Sequence, residues 1–583
     1  MNILSFNFFE GSHDTSAAVV CDGRLVAAAE EERFTRKKHD GSVPLKAIDF
    51  CLRRAGLRME EVDVIAFPDK PFRSGSDSCL MEMDADFHAR LLREGVVRQR
   101  SRLHRRLLAT WRRLSLPRFN VQMSPAVAAG FRLLRGHYPE LPSVRYYDHH
   151  LSHAAAAFLT SPYEQAAIAT IDGRSEFYST VTWRGEGNRI RRVRAEPYTN
   201  SLGFFYRDCT RYLGLGEFGE GKTMGLAAYG DKQVCARSVS SLLAVAEDSW
   251  YRYRARPSEQ ILGFAPRKQD PITEARYANF AAACQSALEE AVSRVAFSAI
   301  RDAKCANLCL GGGVALNCSC NGALLASGVP DSMWVFPASG DAGLSVGAAL
   351  LCAAEAGELR REEMEMPYLG PQFTDQDCAA ALQPRPGILY RRADRLDEEV
   401  ARALAASEVV GWFHDRMELG PRALGNRSIL AAPHTVAIRD RVNRIKGREL
   451  WRPLAPVVLA ERAAEFFELR PPSPFMLFAS QVRAEKRQLI PAVIHIDGSA
   501  RPQTVAREQN PRLYDLLSAF DRLTGVPVLL NTSLNASGEP MVCSPDHAIR
   551  TFVATGLDLL VLGNFLVRRD CAGQRPHQSA SPR

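Results

Sequence analysis

Histidines and aspartates in the first 350 residues have the spacing of a metal site. His149 and His153 are four residues apart, and side chains at that spacing share one face of a helix. The alanines at 154–157 favour such a helix. Asp172 and Asp341 each follow an apolar strand pattern at a turn of small residues. Two imidazoles with one or two carboxylates suit Fe(II), Mn(II) or Zn(II), and the ligand types alone do not choose among them. Because such a histidine pair also occurs by chance on helix surfaces, the two aspartates carry the prediction.

A second set of residues that could do chemistry lies in the last third of the chain and is strongly basic. Arginine forks match phosphate oxygens and lysine supplies a compact charge, so basic residues on Gly- and Pro-containing turns favour phosphate binding. A solvated surface run is the alternative, but acidic residues are few in this stretch. An apolar strand at 526–530 ends in Asn531-Thr532-Ser533, whose amide and hydroxyl groups suit a nucleotide or an acyl group. The basic residues are Arg416, Arg422, Arg427, Arg444, Lys446, Arg448 and Arg452.

The octapeptide at 216–223 satisfies the pattern of a phosphate-binding P-loop, but its context argues against one. A P-loop follows a buried strand, whereas residues 208–214 have a helical pattern that ends at a glycine. Two glutamates inside the loop would repel phosphates, and Gly225 stands where the helix of a P-loop should continue. We therefore expect no P-loop fold here, although Lys222 can still meet a phosphate.

The composition indicates a globular protein of more than one domain. Of the 583 residues, 46% are hydrophobic and 24% are charged. The N-terminus lacks the basic flank of a secretion signal and no apolar run is long enough to span a bilayer, so we expect a cytoplasmic protein without membrane contact. The fourteen scattered cysteines lack zinc-site spacing and are expected to be free thiols. The net charge of +8 owes much to eight arginines at 93–113. That stretch is either a basic helix for nucleic acid or a solvated helix face, and we favour the second.

The elements that must position these residues come in repeated units. Strands at 2–8, 16–21 and 25–29 are joined by a polar turn and by a hairpin at Asp22-Gly23. A second strand–acidic turn–strand unit runs from 166–171 through Asp172-Gly173 to 178–181. A long helix at 273–303 precedes strands at 307–310 and 333–336. Such duplication is typical of α/β folds of the actin and sugar-kinase type, which clamp a nucleotide between two halves.

Several runs together resemble one known family, the carbamoyltransferases of nodulation-factor and antibiotic pathways. The resemblance covers nearly the whole chain, and the runs come in the family's order. They are Gly11-Ser12-His13-Asp14-Thr15-Ser16-Ala17-Ala18, Ala27-Ala28-Ala29-Glu30-Glu31-Glu32-Arg33-Phe34, His149-His150-Leu151-Ser152-His153-Ala154, Glu220-Gly221-Lys222-Thr223-Met224-Gly225-Leu226-Ala227, Gly311-Gly312-Gly313-Val314-Ala315-Leu316-Asn317-Cys318, Arg416-Met417-Glu418-Leu419-Gly420-Pro421-Arg422-Ala423-Leu424-Gly425-Asn426-Arg427-Ser428, and Leu530-Asn531-Thr532-Ser533-Leu534-Asn535.

The resemblance implies an α/β chain of two domains. Residues 1–355 would form an actin-like ATPase domain with duplicated halves, similar to the metal-binding TsaD subunit that makes threonylcarbamoyl-adenosine in tRNA. Residues 396–571 would form a YrdC-like α/β domain, similar to the partner that forms the carbamoyl adenylate. A connecting segment at 356–395 and a disordered tail at 572–583 complete the predicted organisation. One local departure, Arg174-Ser175-Glu176-Phe177 in place of Val-Gly-Glu-Trp, bears on acceptor specificity.

The resemblance also implies residue roles. His13 is the candidate general base for the acceptor hydroxyl, with a turn histidine bonded to the backbone as the alternative, and Asp14 would orient it or bind the acceptor. The implied metal ligands, for iron in the family, are His149, His153, Asp172 and Asp341. The residues implied to bind the nucleotide or carbamoyl adenylate in the first domain are Lys222, Gly225, Gly311, Gly312, Gly313 and Asn317. The residues implied to bind carbamoyl phosphate and ATP in the second domain are Arg422, Arg427, Lys446, Arg452, Asn531 and Ser533.

The resemblance therefore implies an ATP-dependent O-carbamoyltransferase with Fe(II), or another divalent metal, and ATP with Mg as cofactors. Carbamoyl phosphate and ATP would give carbamoyl adenylate, whose carbamoyl group passes to a hydroxyl of a small-molecule natural product. A tRNA-modifying enzyme with the same two modules and a non-catalytic ATP-binding regulator of the actin-like fold are the alternatives. We expect no nucleic-acid partner. The sequence does not identify the acceptor and leaves a homodimer open.

Overall fold

The computed structural model describes most of the chain in both domains. The described residues are 1–9, 11–69, 72–74, 121–123, 125–173, 175–245, 250–268, 272, 274–383, 385–469 and 472–570. The basic stretch at 93–113, Arg174 and the tail at 572–583 lie outside them, so what the sequence predicts there stays a prediction. Among the described residues, no helix combines the length and the apolar character needed to cross a bilayer.

The first half of the N-terminal domain is built on a five-stranded mixed sheet. Its strands are β1 (Asn2–Phe6), β2 (Ser16–Cys21), β3 (Arg24–Glu30), β4 (Val64–Phe67) and, after the short pair β5 (Phe72–Ser74) and β6 (Val121–Met123), β7 (Ser143–Tyr146). The order is β3-β2-β1-β4-β7, with two antiparallel pairings followed by two parallel ones. The predicted hairpin between β2 and β3 is confirmed, because the two strands pair antiparallel up to Cys21 opposite Arg24, and Asp22 and Gly23 between them both have positive φ. The helices are α1 (Glu32–Thr35), α2 (Leu45–Ala55), α3 (Pro125–His137) and α4 (His149–Phe158).

The second half repeats this arrangement. Its main strands are ordered β10-β9-β8-β13-β14, again with two antiparallel pairings followed by two parallel ones. The predicted duplication is therefore confirmed at the level of sheet topology. The strands are β8 (Gln165–Ile171), β9 (Tyr178–Glu186), β10 (Arg189–Pro197), β11 (Leu243–Ala244), β12 (Arg252–Tyr253), β13 (Asn307–Gly311) and β14 (Ser332–Val335). The helices are α5 (Leu202–Tyr212), α6 (Glu220–Ala227), α7 (Lys232–Leu242), α8 (Glu259–Leu262), α9 (Ala275–Ala303), α10 (Cys318–Ala326) and α11 (Leu344–Glu355).

Helices α4 and α11 lie between the two sheets. Helix α4 packs on β8 and β13, α11 packs on β1 and β2, and the two helices pack on each other. Small residues make this close approach feasible, because the alanines at 154–157 are buried and a Cβ on Gly347 would lie 1.8 Å from the carbonyl oxygen of Ser152. The first turn of α4, which carries His149, is thereby held at the junction of the two halves.

The C-terminal domain is an eight-stranded mixed sheet with helices packed on it. The sheet order is β15-β24-β23-β16-β17-β22-β18-β21. Its apolar core includes Trp412, Leu430 and Val457, all nearly inaccessible to solvent. The strands are β15 (Ile388–Arg392), β16 (Val410–Phe413), β17 (Arg427–Ala431), β18 (Ala455–Leu459), β19 (Ser480–Gln481), β20 (Ser499–Ala500), β21 (Gln503–Val505), β22 (Val528–Ser533), β23 (Leu559–Leu562) and β24 (Phe565–Arg569). The helices are α12 (Asp375–Leu382), α13 (Leu396–Ala405), α14 (Val436–Ile445), α15 (Ala463–Phe466), α16 (Pro511–Thr524) and α17 (Pro545–Ala554).

The segment predicted to connect the domains, 356–395, includes elements of the second domain. Strand β15 pairs antiparallel with β24 over five residues and forms an edge of the large sheet, and α12 precedes it. The second domain therefore begins before residue 396, which corrects the predicted boundary. The sequence concealed this strand because an edge strand with Tyr390, Arg391 and Arg392 exposed lacks the apolar alternation of a half-buried one.

The P-loop pattern at 216–223 does not form a P-loop, as the sequence context predicted. Helix α5 precedes the octapeptide where a P-loop needs a strand, and the octapeptide runs directly into α6, which begins at Glu220. Lys222 therefore lies within a helix, and its role must be judged from its contacts.

Candidate metal centre and cationic pocket

The two histidines of the predicted metal site meet on α4. Asp148 caps the helix by accepting a hydrogen bond from the Leu151 amide at 3.0 Å, which fixes where the helix begins. His149 and His153 are therefore one turn apart on one face, and their Nε2 atoms lie 3.2 Å from each other. Both side chains are buried.

Asp172 and Asp341 complete the centre from two different turns. Asp172 follows β8, and Asp341 opens a short 3₁₀ turn that leads into α11. The Oδ2 atom of Asp172 lies 2.9 Å from His153 Nε2 and 3.6 Å from His149 Nε2. The Oδ1 atom of Asp341 lies 3.7 Å from each of those nitrogens. The four predicted ligands thus converge on one point.

The donor set suits a divalent metal. A cation about 2.1 Å from each ligand atom leaves neighbouring ligands roughly 3.0 to 3.4 Å apart, close to the observed separations. Burial opposes a charge on His149, but Asp172, Asp341 and Glu176 raise its pKa to about 10. Burial raises the pKa of Asp341, whereas the imidazoles of His149 and His153 hold the pKa of Asp172 well below its usual value in spite of burial. Two imidazoles and two carboxylates this close together could hold a metal ion.

His150 points away from this centre. Its Nε2 donates to the carbonyl oxygen of Tyr178 at 3.1 Å, and its Nδ1 lies 2.9 Å from the hydroxyl of Thr170. Burial and the neighbouring imidazoles lower its pKa to about 3, so the ring is neutral. His150 therefore anchors α4 to the second sheet.

The glycines at 311–313 let the chain pass directly over the metal ligands. A Cβ on Gly311 would lie 2.9 Å from the carbonyl oxygen of His153, and one on Gly313 would lie 3.2 Å from Oδ1 of Asp172. Gly312 has φ +85, and its Cβ would lie 2.4 Å from the carbonyl oxygen of Ile171. This backbone can border a ligand at the centre. Asn317, predicted to share that role, instead caps α10 and bonds to Gln285 at 3.0 Å.

His13 and Asp14 form part of a three-residue chain that the sequence did not reveal. Asp14 Oδ2 lies 2.8 Å from His13 Nδ1, and Asp14 Oδ1 lies 2.8 Å from His39 Nδ1. Burial works against protonation of His13, but the Asp14 hydrogen bond and the charges of Asp341, Asp14 and Asp172 raise its pKa to about 9. The effect of both aspartates of the metal centre on His13 indicates that the two groups share one site.

Four of the seven predicted basic residues lie close together in the second domain, where Arg501 and one residue of the first domain join them; we call this group the cationic pocket. Arg416 is outside it and donates to the carbonyl oxygens of Leu369 and Val26. The cations of this pocket lower one another's pKa values. Burial and the nearby guanidinium groups lower the pKa of Arg422 and of Arg448 to about 9. Burial, Arg448, Lys38 and Arg452 lower the pKa of Lys446 well below its usual value. The members of this cationic pocket are Arg422, Lys446, Arg448, Arg452, Arg501 and Lys38.

The cationic pocket carries unused hydrogen-bonding capacity. Among the described residues, the buried Nε atoms of Arg422 and Arg501 and the buried Oδ1 of Asn531 have no hydrogen-bond partner. Lys446 is held in place by Ser533 Oγ at 3.2 Å and by the Asn535 carbonyl at 3.1 Å. Mutually repelling cations and unpaired polar atoms together suit an anionic, oxygen-rich ligand.

Arg427 does not belong to this pocket, although the sequence placed it there. Its guanidinium is fully buried 3.8 Å above the Phe413 ring. It donates to carbonyl oxygens of Asn426 at 2.8 Å, of Pro371 and Asp415 at 3.2 Å each, and of His414. Arg427 therefore holds the backbone around β17 together through its two terminal nitrogens, while its buried Nε has no hydrogen-bond partner.

Lys222 and Gly225 lie at the contact between the domains. Lys222 Nζ donates to Glu449 Oε1 at 3.2 Å, and a Cβ on Gly225 would lie 3.5 Å from both Trp451 and Pro453. Both residues of α6 thus face the segment that also supplies Arg448 and Arg452 to the cationic pocket. Neither is placed at the metal centre.

Contacts of the segment around α1 explain why Lys38 reaches the second domain. Arg33 is buried, pairs with Glu30 at 2.8 Å and donates to the carbonyl oxygen of Gly420 at 2.9 Å. Arg36 donates to the carbonyl oxygen of Pro540 at 2.6 Å. These bonds dock the segment on the second domain, and two residues further along Lys38 faces the cationic pocket.

Comparison with known proteins shows the family to which the chain belongs. Residues 8–350 match the family profile described as carbamoyltransferase N-terminus, and residues 401–569 match carbamoyltransferase C-terminus. The chain is 38% identical to an uncharacterized Synechocystis protein, over 97% of this chain and 96% of that one. It is 37% identical to nodulation protein NolNO of Sinorhizobium fredii, over 96% and 79%, and 42% identical to nodulation protein NolO of Bradyrhizobium diazoefficiens, over 72% and 79%. The chain belongs to the carbamoyltransferase family and is a transferase.

Proposed function

We propose that the chain is an O-carbamoyltransferase that forms carbamoyl adenylate from carbamoyl phosphate and ATP and then transfers the carbamoyl group to a hydroxyl of a small-molecule natural product. One observation carries the proposal. Lys38 and His39 are consecutive, yet Lys38 lies among the cations of the second domain and His39 bonds to Asp14 beside His13. One dipeptide thus contributes a residue to the candidate phosphate-binding pocket and a residue to the candidate proton-transfer group.

The cationic pocket supports the activating half-reaction. Hydrolysis of carbamoyl phosphate releases phosphate and carbamate, and a carbamate oxygen then attacks the α-phosphorus of ATP. The bond between the α-phosphorus and the bridging oxygen breaks, so carbamoyl adenylate and pyrophosphate are formed. Arg422, Arg448 and Arg452 would bind phosphoryl oxygens, and Lys446 with Asn531 would hold the carbamoyl end. A buried pocket also protects the labile carbamate from water.

The centre of His149, His153, Asp172 and Asp341 would hold the metal, which we take to be Fe(II) or another divalent ion. Bound there, it supplies a Lewis acid that neutralises charge on the adenylate phosphate. The surrounding residues act by position: His153 and Asp172 hold their ligand atoms 2.9 Å apart, and the backbone at 311–313 closes one side.

His13 would take the proton of the acceptor hydroxyl. Because the pKa of His13 is raised to about 9, its imidazole is protonated at neutral pH and cannot act as a base in that state. Neutralising the charges of Asp341 and Asp172 removes two of the influences that raise this pKa, so the imidazole can release its proton when the site is complete. The acceptor oxygen then attacks the carbamoyl carbon, the bond from that carbon to the phosphate oxygen breaks, and AMP leaves.

Carbamoyl phosphate-dependent release of pyrophosphate from ATP, with metal supplied and no acceptor, tests the proposal. We expect release by the wild type and its loss in Lys446→Ala and in Lys38→Ala. Lys37→Ala is the matched control, because Lys37 is the neighbouring exposed lysine but its Nζ lies 3.9 Å from Asp40 of the first domain and not among the cations of the second. Failure of the wild type to release pyrophosphate would refute carbamoyl adenylate formation. Equal rates of pyrophosphate release in Lys37→Ala and Lys38→Ala would show that Lys38 does not contribute to the cationic pocket.

A further inference from the structure

The loop before α6 carries a strained aromatic residue against the His13–Asp14–His39 chain. Phe218 has φ +57, a left-handed conformation that bulky side chains rarely adopt. Its ring stacks on His39 with centroids 4.0 Å apart and planes 23° apart, and it meets the edge of His13 at 4.8 Å. The ring is nevertheless 45% exposed, so burial of apolar surface is a poor reason for its position.

The protein holds this loop on both sides of Phe218. Glu217 accepts two hydrogen bonds from Arg211, each 2.9 Å long, and Arg267 donates to the carbonyl oxygens of Leu213 at 2.7 Å and Gly214 at 2.9 Å. Helix α6 begins two residues after Phe218. Because both flanks are fixed, the left-handed turn at Phe218 is imposed by the loop, and it directs the ring onto the two imidazoles.

The histidines have hydrogen bonds on one side and an aromatic ring on the other. Asp14 binds Nδ1 of both rings, so their orientation depends on that single carboxylate and on Phe218. The bonds above direct no polar group of residues 213–218 at the imidazoles, and Phe218 meets them with carbon; a nearby charge that also acts on His13 is Glu220, at the start of α6. A hydrocarbon cover positions a ring and displaces water without competing for its proton.

We propose that Phe218 is a positioning residue for His13, acting as a fixed cover on one face of the His13–Asp14–His39 chain. The side chains of His13 and His39 remain 40% and 28% exposed, so the cover limits the approach of water from that face alone. The inference rests on the proposed function for its consequence. Water at this site would attack the carbamoyl carbon of the adenylate, the bond from that carbon to the phosphate oxygen would break, and AMP and carbamic acid would form with one proton released. Covering His13 suppresses that wasted hydrolysis until an acceptor hydroxyl takes the place of water.

The cover can be tested without any knowledge of the acceptor. Diethyl pyrocarbonate modifies accessible imidazoles, and mass spectrometry reads its rate at each histidine of the full-length protein. In Phe218→Gly, which also relieves the left-handed strain, we expect His13 and His39 to react about threefold faster or more, with no fall in Tm. Phe218→Tyr keeps the ring and should react as the wild type does. Phe297→Ala, at a 56% exposed phenylalanine on α9, is the control for loss of a surface ring.

The catalytic consequence is read in the same variants with carbamoyl phosphate, ATP and metal but no acceptor. We expect Phe218→Gly to form pyrophosphate at the wild-type rate but to release about threefold more AMP per pyrophosphate, with Phe218→Tyr restoring the wild-type ratio. Unchanged modification of His13 and His39 in Phe218→Gly would overturn the cover. Faster modification with an unchanged AMP ratio would overturn its role in excluding water. Absence of pyrophosphate from the wild type would refute the proposed function, while the modification rates would still decide the cover.

Discussion

Lys222 and Glu449 form an ion pair between the two domains, with 3.2 Å between Nζ and Oε1. Lys222 is the lysine of the P-loop pattern, whose usual partner is a nucleotide phosphate. Here an acid of the second domain takes that place, next to the segment that supplies Arg448 and Arg452. The two side chains are 33% and 40% exposed, so water screens the pair and its contribution to stability is small.

A double-mutant cycle on this pair should give a small coupling. We expect Lys222→Ala and Glu449→Ala to lower the free energy of unfolding by less than about 1 kcal/mol each, with a coupling energy below about 1 kcal/mol that falls as salt is added. Urea unfolding of the wild type, both single variants and the double variant measures it. A large, salt-independent coupling would mean that the domain contact depends on this pair.

Metal binding should strengthen as the pH rises. A metal ligand must be a neutral imidazole, whereas Asp172, Asp341 and Glu176 raise the pKa of His149 to about 10 in spite of burial. Below that pH the metal must displace a proton, so its affinity should rise about tenfold per pH unit for each proton released. Calorimetric titration with Mn(II) at two pH values about one unit apart, about 6.5 and 7.5, measures the change in affinity per pH unit.

Two variants separate the metal centre from other histidines. His153→Ala should lose stoichiometric metal binding, because it removes one of four converging ligands. His137→Ala, at a histidine that is 44% exposed on α3, should bind as the wild type does. A Kd that does not change with pH, or full metal binding by His153→Ala, would contradict the assignment of these ligands.

Anion binding in the cationic pocket should take up protons. Burial and the charges of Arg448, Lys38 and Arg452 lower the pKa of Lys446, so the free pocket holds fewer protons than these residues would in water. A bound anion raises the pKa of each neighbouring cation, and the complex therefore binds more protons than its parts. Calorimetric titration with inorganic phosphate at pH 8, repeated in buffers of different ionisation enthalpy, should show net uptake of about one proton or less.

Lys446→Met tests which group is responsible. Methionine keeps most of the volume of the buried side chain but cannot accept a proton, so uptake should fall while weaker phosphate binding to the arginines remains. Lys486→Met, at a lysine near Phe466, is the control. Proton release on phosphate binding would contradict the lowered pKa.

The sequence predicted the duplicated halves and the shared helix face of His149 and His153 because both depend on local patterns. The hairpin signal at Asp22-Gly23 and the four-residue spacing of His149 and His153 predict the same local geometry whatever the rest of the fold. Lys38 and His39 had no such signal, since they follow Arg36 and Lys37 in a charged run that is typical of a solvated surface. Only docking of this segment on the second domain gives the two residues different neighbours.

Arg422 and Arg427 show the same limit from the opposite side. They are five residues apart, and the family resemblance implied the same role in phosphate binding for both. Their hydrogen bonds differ: Arg422 lies near the cations Arg448, Arg452 and Arg501, whereas both terminal nitrogens of Arg427 bond to backbone carbonyls and what the two arginines share is an unpaired Nε. No local sequence pattern distinguishes an arginine whose guanidinium is available to a ligand from one whose guanidinium bonds to backbone carbonyls.

The two arginines should therefore respond in opposite ways to removal. Arg427→Ala leaves several buried carbonyl groups without a donor and should cost about 3 kcal/mol or more of stability. Arg422→Ala removes one of several mutually repelling cations, so the free energy of unfolding should stay within about 1 kcal/mol of the wild type or rise. Phosphate affinity should drop in Arg422→Ala and remain in Arg427→Lys if that variant folds. Equal destabilisation by the two alanine substitutions would show that Arg422 also holds the fold, and the cationic pocket would then lose its clearest unpaired phosphate-binding group.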